Sequence, residues 1–273
     1  MYVEDPVAFE LFGLSVRWYG ILTSISLVIG FAIAYFIAGY RGQKKEEILN
    51  FAPFAIIFSV VGARLLHVVV NWSYYSMHPM YIFALRRGGQ AIQGAMLGGI
   101  ITLIVFCKIR KIDFWLWADI ISPGLILGQA IGRWGNFFNQ EAFGRPTDLP
   151  WAIYIEEQYR PEGYISYEYF HPTFLYESVS NFLVFALLIF MHWYYKKRPG
   201  KLPHGLILAT YLGVYSIYRT FIEYYRVDST IIGSIKVVYI INLVTILAAM
   251  FIANYVTKKF SEKKQLEKNN SQR

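Results

Sequence analysis

The sequence predicts an all-α integral membrane protein of seven transmembrane helices with a small extracytoplasmic head domain. Three observations predict it. The 273 residues are 56% hydrophobic and only 16% charged, too apolar for an ordinary soluble domain. Charge-poor runs recur near the length of about 20 residues that a bilayer core requires. Basic residues follow alternate runs, which marks one face as cytoplasmic.

The first run, Tyr19 to Tyr40, is already of spanning length, which argues against a cleavable leader. The second, Asn50 to Val70, carries Arg64. The segment Asn71 to Gly89 mixes aromatic and basic residues as an interfacial, in-plane piece would. Gly88 to Cys107 is the third run, with Gly94 and Gly98 in the small-xxx-small spacing of close helix contacts. Phe114 to Gly132 is the fourth, carrying Asp119. The stretch from about Asn136 to His171 is too long for a turn and reads as the head segment. Pro172 to Tyr195 with Glu177, His204 to Tyr224 with Arg219 and Glu223, and Val237 to Thr257 complete the set. This divides the chain into residues 1–135, 136–171, 172–257 and a basic tail, 258–273, expected to be solvated and disordered.

Orientation follows from the cations. Arg41, Lys44 and Lys45 follow span one; Lys108, Arg110 and Lys111 follow span three; Lys196, Lys197, Arg198 and Lys201 follow span five; the tail carries Lys258 through Lys268 and Arg273. With that face inside, the N-terminus is outside and the C-terminus cytoplasmic. One cysteine, Cys107, excludes a disulfide framework or a cysteine metal cage. There is no nucleotide-binding glycine loop or fixed-period repeat, and no metal, cofactor or nucleic-acid partner is expected.

Ionisable groups within spans are costly, roughly 2.5 to 3.5 kcal/mol near the centre of an inserted helix. Here they converge. Arg133, Asn136, Asn139 and Glu141 sit at the outer end of span four. Tyr215, Arg219 and Glu223 follow one another at i, i+4 on span six, so they share a face, and Arg226 continues that edge. Taken singly, each could be an interhelical hydrogen bond or a snorkelling arginine, a reading that weighs equally with function for Arg64, Asp119 and Glu177. Together they predict an arginine-rich pocket toward the outer leaflet, suited to an oxygen-rich anion such as a phospholipid phosphate. A transporter is the rival class, but the polar groups lie on one side and the spans show no matching halves.

The stretch "GRWGNFFNQEAFG", Gly132 to Gly144, resembles the signature of the bacterial prolipoprotein diacylglyceryl transferases. "DPVAF", "LSVRWYG", "HPTFLYE" and "YRTFIEYYRVD" resemble further family blocks in order along nearly the whole chain. The resemblance implies an inner-membrane enzyme that moves the diacylglyceryl group of phosphatidylglycerol to the lipobox cysteine of a prolipoprotein signal peptide. It carries over Arg133, Asn136, Glu141 and Gly144 from the signature, Tyr19 from span one, and Tyr215, Arg219, Glu223 and Arg226 from span six. The two arginines on which family activity chiefly depends correspond to Arg133 and Arg219.

In that chemistry, Arg133 and Arg219 hold the phosphate, while Glu141 and Glu223 orient the arginines or, desolvated and with a raised pKa, serve as the base. Asn136, Asn139 and Gln93 hydrogen-bond the headgroup or peptide; His171, at the head-segment edge, is a substrate-side candidate whose structural reading weighs more. Gln93 is a departure, because the family block in span three usually carries a histidine there. Glutamine does not accept a proton near neutral pH. A paralogue with altered or lost activity, binding lipid or signal peptide, is therefore the alternative to an active transferase.

Overall fold

The computed structural model describes residues 6–84 and 88–271. Asp5 of the "DPVAF" block, Leu85, Arg86 and Arg87 of the interfacial segment, and Gln272 and Arg273 of the tail lie outside the described residues. Among the described residues, eight α-helices dominate: α1 Trp18–Tyr40, α2 Glu46–Val70, α3 Trp72–Met77, α4 Ile92–Arg110, α5 Phe114–Phe138, α6 Thr173–Lys197, α7 Leu206–Tyr225 and α8 Val237–Ser271. Three two-stranded antiparallel pairs accompany them: β1 Val7–Leu11 with β2 Leu14–Arg17, β3 Ile153–Tyr154 with β4 Tyr169–Phe170, and β5 Ile231–Ile232 with β6 Ile235–Lys236.

Among the described residues, six helices are long and apolar enough to cross a membrane: α1, α2, α4, α5, α6 and α8. The chain is thus a mostly helical, multi-pass membrane protein. Helix α7, the expected sixth crossing, is 20 residues long but is not among the six. Its five tyrosines, with Arg219 and Glu223, lower its apolarity.

The ends of the helices refine the sequence reading. Span three begins at Ile92, not Gly88, because Gly88 and Gly89 have φ of +78° and +76°, which a right-handed helix excludes. Helix α5 runs on to Phe138, so Arg133 and Asn136 project from a helix and not from a loop after it. The tail was expected to be disordered, but α8 continues as helix to Ser271. Lysine, glutamate, glutamine and leucine are good helix formers, and Lys263 faces Glu267 one turn on.

The chain forms two compact units, Tyr35–Ala118 and the remainder. In the first, α2 and α4 pack with their backbones touching. A Cβ placed on Gly94 would lie 2.2 Å from the Gly62 carbonyl oxygen, and one on Gly98 would lie 2.2 Å from that of Phe58. The small-residue spacing therefore serves helix contact. Arg64, buried, donates to the carbonyls of Ile82 (2.8 Å), Gly88 (2.7 Å), Gly89 (2.9 Å) and Tyr81, tying down the return toward α4. The described residues of the segment expected to be interfacial include α3 and a 3-10 turn, Pro79–Phe83.

In the second unit, α5, α6 and α7 share a core of Ile126, Val184, Leu188, Ile207 and Tyr211. Asp119 of α5 accepts from the amides of Gly205 (2.8 Å) and Leu208 (2.9 Å), filling orphan donors at the start of α7. A second core of Phe143, Ile153, Ile155, Phe170 and Phe174 closes the segment between α5 and α6. Gly124 meets Gly30 of α1, where an added Cβ would lie 2.3 Å from the carbonyl oxygen.

These backbone contacts generate a prediction. Gly98→Leu should force α2 and α4 apart and destabilise the protein by roughly 1 to 3 kcal/mol or more, the scale of overpacking. Thermal unfolding in detergent should show it as a clear drop in Tm, whereas Gly20→Ala, with open space around the site, should leave Tm nearly unchanged.

Candidate active site

Helices α5, α6 and α7 bring Arg133, Glu177, and Arg219 with Glu223 to a common point. Glu177, one turn after Thr173 on α6, is fully buried at its centre. Its Oε2 lies 2.6 Å from Arg133 Nη2 on α5 and 3.5 Å from Arg219 Nε on α7. Its Oε1 lies 3.7 Å from Arg226 Nη1, just past the end of α7. Both oxygens face guanidinium nitrogens as ion pairs and lack aligned hydrogen-bond partners. Arg219 Nη1 also meets Glu223 Oε2 at 2.6 Å, the i, i+4 pair read from the sequence.

The edges of the cluster are held by backbone. Asp228 accepts from Arg226 through Nε at 3.0 Å and Nη2 at 3.1 Å, and its Oδ2 also takes the Ala142 amide at 2.9 Å. Thr173 Oγ1 donates to the Ala142 carbonyl. Gly144 pairs with Arg226 as an antiparallel bridge, and the amide of Arg145 donates to the Tyr225 carbonyl at 2.8 Å. A Cβ on Gly144 would stand 2.7 Å from that of His171, so the close approach needs a glycine.

The signature stretch folds back on itself. Glu141 Oε1 accepts from Asn136 Nδ2 at 2.9 Å and Asn139 Nδ2 at 3.2 Å. Asn136 Oδ1 in turn accepts from Arg133 Nη1 at 3.3 Å. Glu141 thus reaches Arg133 through Asn136, whereas Glu223 contacts its arginine directly. Tyr215 stands beside Arg133. Tyr19 packs its ring on Gly135, where an added Cβ would meet it at 2.6 Å. His171 Nδ1 lies 3.0 Å from the Tyr176 hydroxyl and its ring 5.1 Å from that of Tyr225, and burial pushes its pKa below the ordinary imidazole value. Gln93 belongs to the other compact unit, exposed on the first turn of α4. Among the described residues no three His, Cys, Asp or Glu side chains converge to hold a metal ion.

Residues 6–255 match the prolipoprotein diacylglyceryl transferase family. The chain belongs to that family. It is 42% identical over 240 residues to the phosphatidylglycerol–prolipoprotein diacylglyceryl transferase of Nostoc sp., covering 87% of this chain and 84% of the relative. The transferase of that name from Synechocystis sp. is 41% identical over 242 residues, with 89% and 86% covered. A third, from Synechococcus sp., is 44% identical over 230 residues, with 84% and 82% covered.

For this transferase-family chain, three groups at the cluster were not among the candidates read from the sequence. Glu177 was weighed as evenly structural, yet it bridges three arginines. Asp228 stands in the quoted "YRVD", but only the fold aims it at both Arg226 and Ala142. Lys236 gave no signal; its Nζ donates to the carbonyls of Glu223 and Arg226, both at 2.7 Å. Arg133, Arg219, Arg226 and Lys236 thus outnumber Glu177, Glu223 and Asp228 by one positive charge. The side chains of Arg133 and Arg226 are 23% and 14% exposed while Glu177 is 0%, so the accessible face of the cluster is guanidinium and its centre is carboxylate.

Glu177→Ala would leave three arginines around an empty centre. The expected loss is about 3 to 5 kcal/mol, the range for removing one partner of a buried pair. Thermal or denaturant unfolding of the purified variant measures it; a loss under about 1 kcal/mol would mean that the carboxylate is not the centre of the cluster.

Proposed function

We propose that the chain transfers the diacylglyceryl group of phosphatidylglycerol to the lipobox cysteine thiol of a prolipoprotein signal peptide. A carbon–sulfur bond forms at the glycerol carbon, the carbon–oxygen bond to the phosphate breaks, and glycerol phosphate leaves with the electron pair. The thiol proton is lost as the thioether forms. The observation that carries this reading is the gathering of Arg133, Arg219 and Arg226 around Glu177, from three separate blocks of the sequence that resemble the family's.

The proposed steps use those groups directly. Arg133 and Arg219 bind the phosphate and stabilise the charge that grows on it as the bond breaks, the kind of preorganised stabilisation that acts most strongly in the transition state. Glu223 holds Arg219 in place, and Glu141 acts on Arg133 through Asn136. Tyr215, Arg226, Asn139, Tyr19, Gly144, His171 and Gln93 shape or contact the headgroup and the peptide. Positive charge near the thiol raises its thiolate fraction from the few per cent of a free cysteine. Helix α7 added to the six apolar spans gives seven crossings, with the N-terminus outside, the basic α8 tail in the cytoplasm of a bacterial inner membrane, and residues 136–171 as an extracytoplasmic head.

Purified protein incubated with phosphatidylglycerol and a lipobox peptide should add a diacylglyceryl mass to the peptide only when its cysteine is intact. An unmodified peptide beside an active control enzyme would sink the reading. Arg219→Lys and Arg133→Lys keep charge but lose the planar fork, and each should lower kcat by about 10²-fold or more with little change in Tm.

Gln93 separates a base from a positioning group. If it only hydrogen-bonds substrate, Gln93→His should change the rate by less than about tenfold and Gln93→Ala should cost about 0.5 to 1.5 kcal/mol. A gain of about 10²-fold in Gln93→His, titrating near pH 6 to 7, would instead make this position the site of a general base.

A further inference from the structure

We propose that Lys236 is a positioning residue for the arginine cluster, clamping the last turn of α7 so that Glu223 and Arg226 are presented together. The inference rests on the transferase reading for its kinetic part and on geometry alone for its structural part. Residues 223 to 226 carry three of the ion pairs at the site, Arg219 with Glu223, Arg226 with Glu177 and Arg226 with Asp228. They also form a helix C-terminus, where backbone carbonyls lack intrahelical donors.

Lys236 supplies those donors from outside the helix. Its ammonium reaches the carbonyls of Glu223 and Arg226 at 2.7 Å each, and the Arg226 amide also returns to the Glu223 carbonyl at 3.2 Å. A cation at this end of a helix is favoured by the helix dipole as well. The lysine is itself fixed. It pairs with Ile231 across the β5–β6 hairpin, whose turn holds Gly233 at φ +64°, and the following amide, Val237, donates to Thr230 at 3.0 Å as α8 begins. On the other side of the same turn, Arg145 binds the Tyr225 carbonyl through its amide. The turn is gripped from both flanks, by the segment after α5 and by the segment before α8.

The ammonium occupies unfavourable surroundings for a mere surface charge. Arg145 and Arg226 stand near it with Glu223 and Asp228, and burial leads the influences that push its pKa below that of an ordinary lysine. Glu223 and Asp228 balance the two arginines, so the unfavourable influence left is burial, which the two carbonyls offset.

The test uses the full chain in phosphatidylglycerol-containing nanodiscs. Lys236→Met removes the donors and Lys236→Arg retains them. In Lys236→Met, peptides covering 221 to 228 should exchange amide hydrogens about tenfold faster without any substrate, as expected for losing two charge-assisted hydrogen bonds. With phosphatidylglycerol and a lipobox peptide, kcat should fall about tenfold while KM stays within about twofold. Lys236→Arg should recover most of both. Unchanged exchange in Lys236→Met overturns the clamp, as does exchange that quickens while kcat holds, or an effect confined to KM, or an arginine variant no better than methionine. Should Lys236→Met fail to fold, Lys236→Gln, with one amide donor group, replaces it under the same criteria. If the wild type transfers nothing, the transferase reading falls, and the exchange comparison alone decides whether Lys236 holds the turn.

Discussion

One buried carboxylate makes the arrangement of α5, α6 and α7 possible. Taking an ion out of water is unfavourable by several kcal/mol even after relaxation, and mutual attraction offsets this only where the geometry is good. Without Glu177, Arg133 would face that penalty with no carboxylate beside it, and Arg219 and Arg226 would keep only Glu223 and Asp228. Glu177 lies 2.6 to 3.7 Å from all three, so one negative charge serves three helical or near-helical positions at once. Any displacement of α6 relative to α5 or α7 would lengthen at least one of these contacts. The carboxylate therefore sets the register of the helices, and the apolar core beneath it, Ile126 with Val184, Leu188, Ile207 and Tyr211, fills the space that this register leaves.

Lipid removes the usual reason for helices to associate, since a leucine is as well solvated by acyl chains as by another helix. What remains is close contact and polar satisfaction. The protein uses close contact where it has glycines, at Gly62 with Gly94 and at Gly30 with Gly124, and polar satisfaction where it has charges. The second device also builds a site. Asp119 filling the amides at the start of α7 and Lys236 filling the carbonyls at its end hold that helix at both termini. The face between them, bearing Tyr215, Arg219 and Glu223, is thus fixed without depending on side chains that a substrate would need.

The helices were legible in the sequence because apolar length is a local property, and each long helix overlaps the run that predicts it. Misread ends have local causes. Helix α5 continues past Gly132 because Arg133 and Asn136 find partners in the fold, so polarity did not stop it. The tail is helical because its lysines and glutamates favour helix even without an apolar face. Within the candidate site, the i, i+4 spacing of Arg219 and Glu223 showed their pairing outright. Glu177 was visible as a charge in an apolar run, but its three partners come from α5, α7 and the segment beyond, a convergence that no spacing encodes. Lys236 was invisible for a related reason: its partners are backbone carbonyls, and any residue could have supplied those.

Glu177 also explains how an arginine site persists in an apolar setting when no anion is bound. Its oxygens oppose the guanidinium groups as ion pairs without aligned hydrogen bonds, so the arginines keep N–H groups that are neutralised yet not fully engaged. On the proposed reaction, a phosphate arriving through the more exposed Arg133 and Arg226 would meet guanidinium groups already held in place. The cluster carries one more positive than negative charge, so a singly charged phosphodiester brings it to balance. On the proposed reaction, the leaving glycerol phosphate gains further negative charge as the bond to carbon breaks. The same guanidinium groups then interact more strongly with the transition state than with the bound lipid, which is the condition for binding energy to accelerate the chemical step.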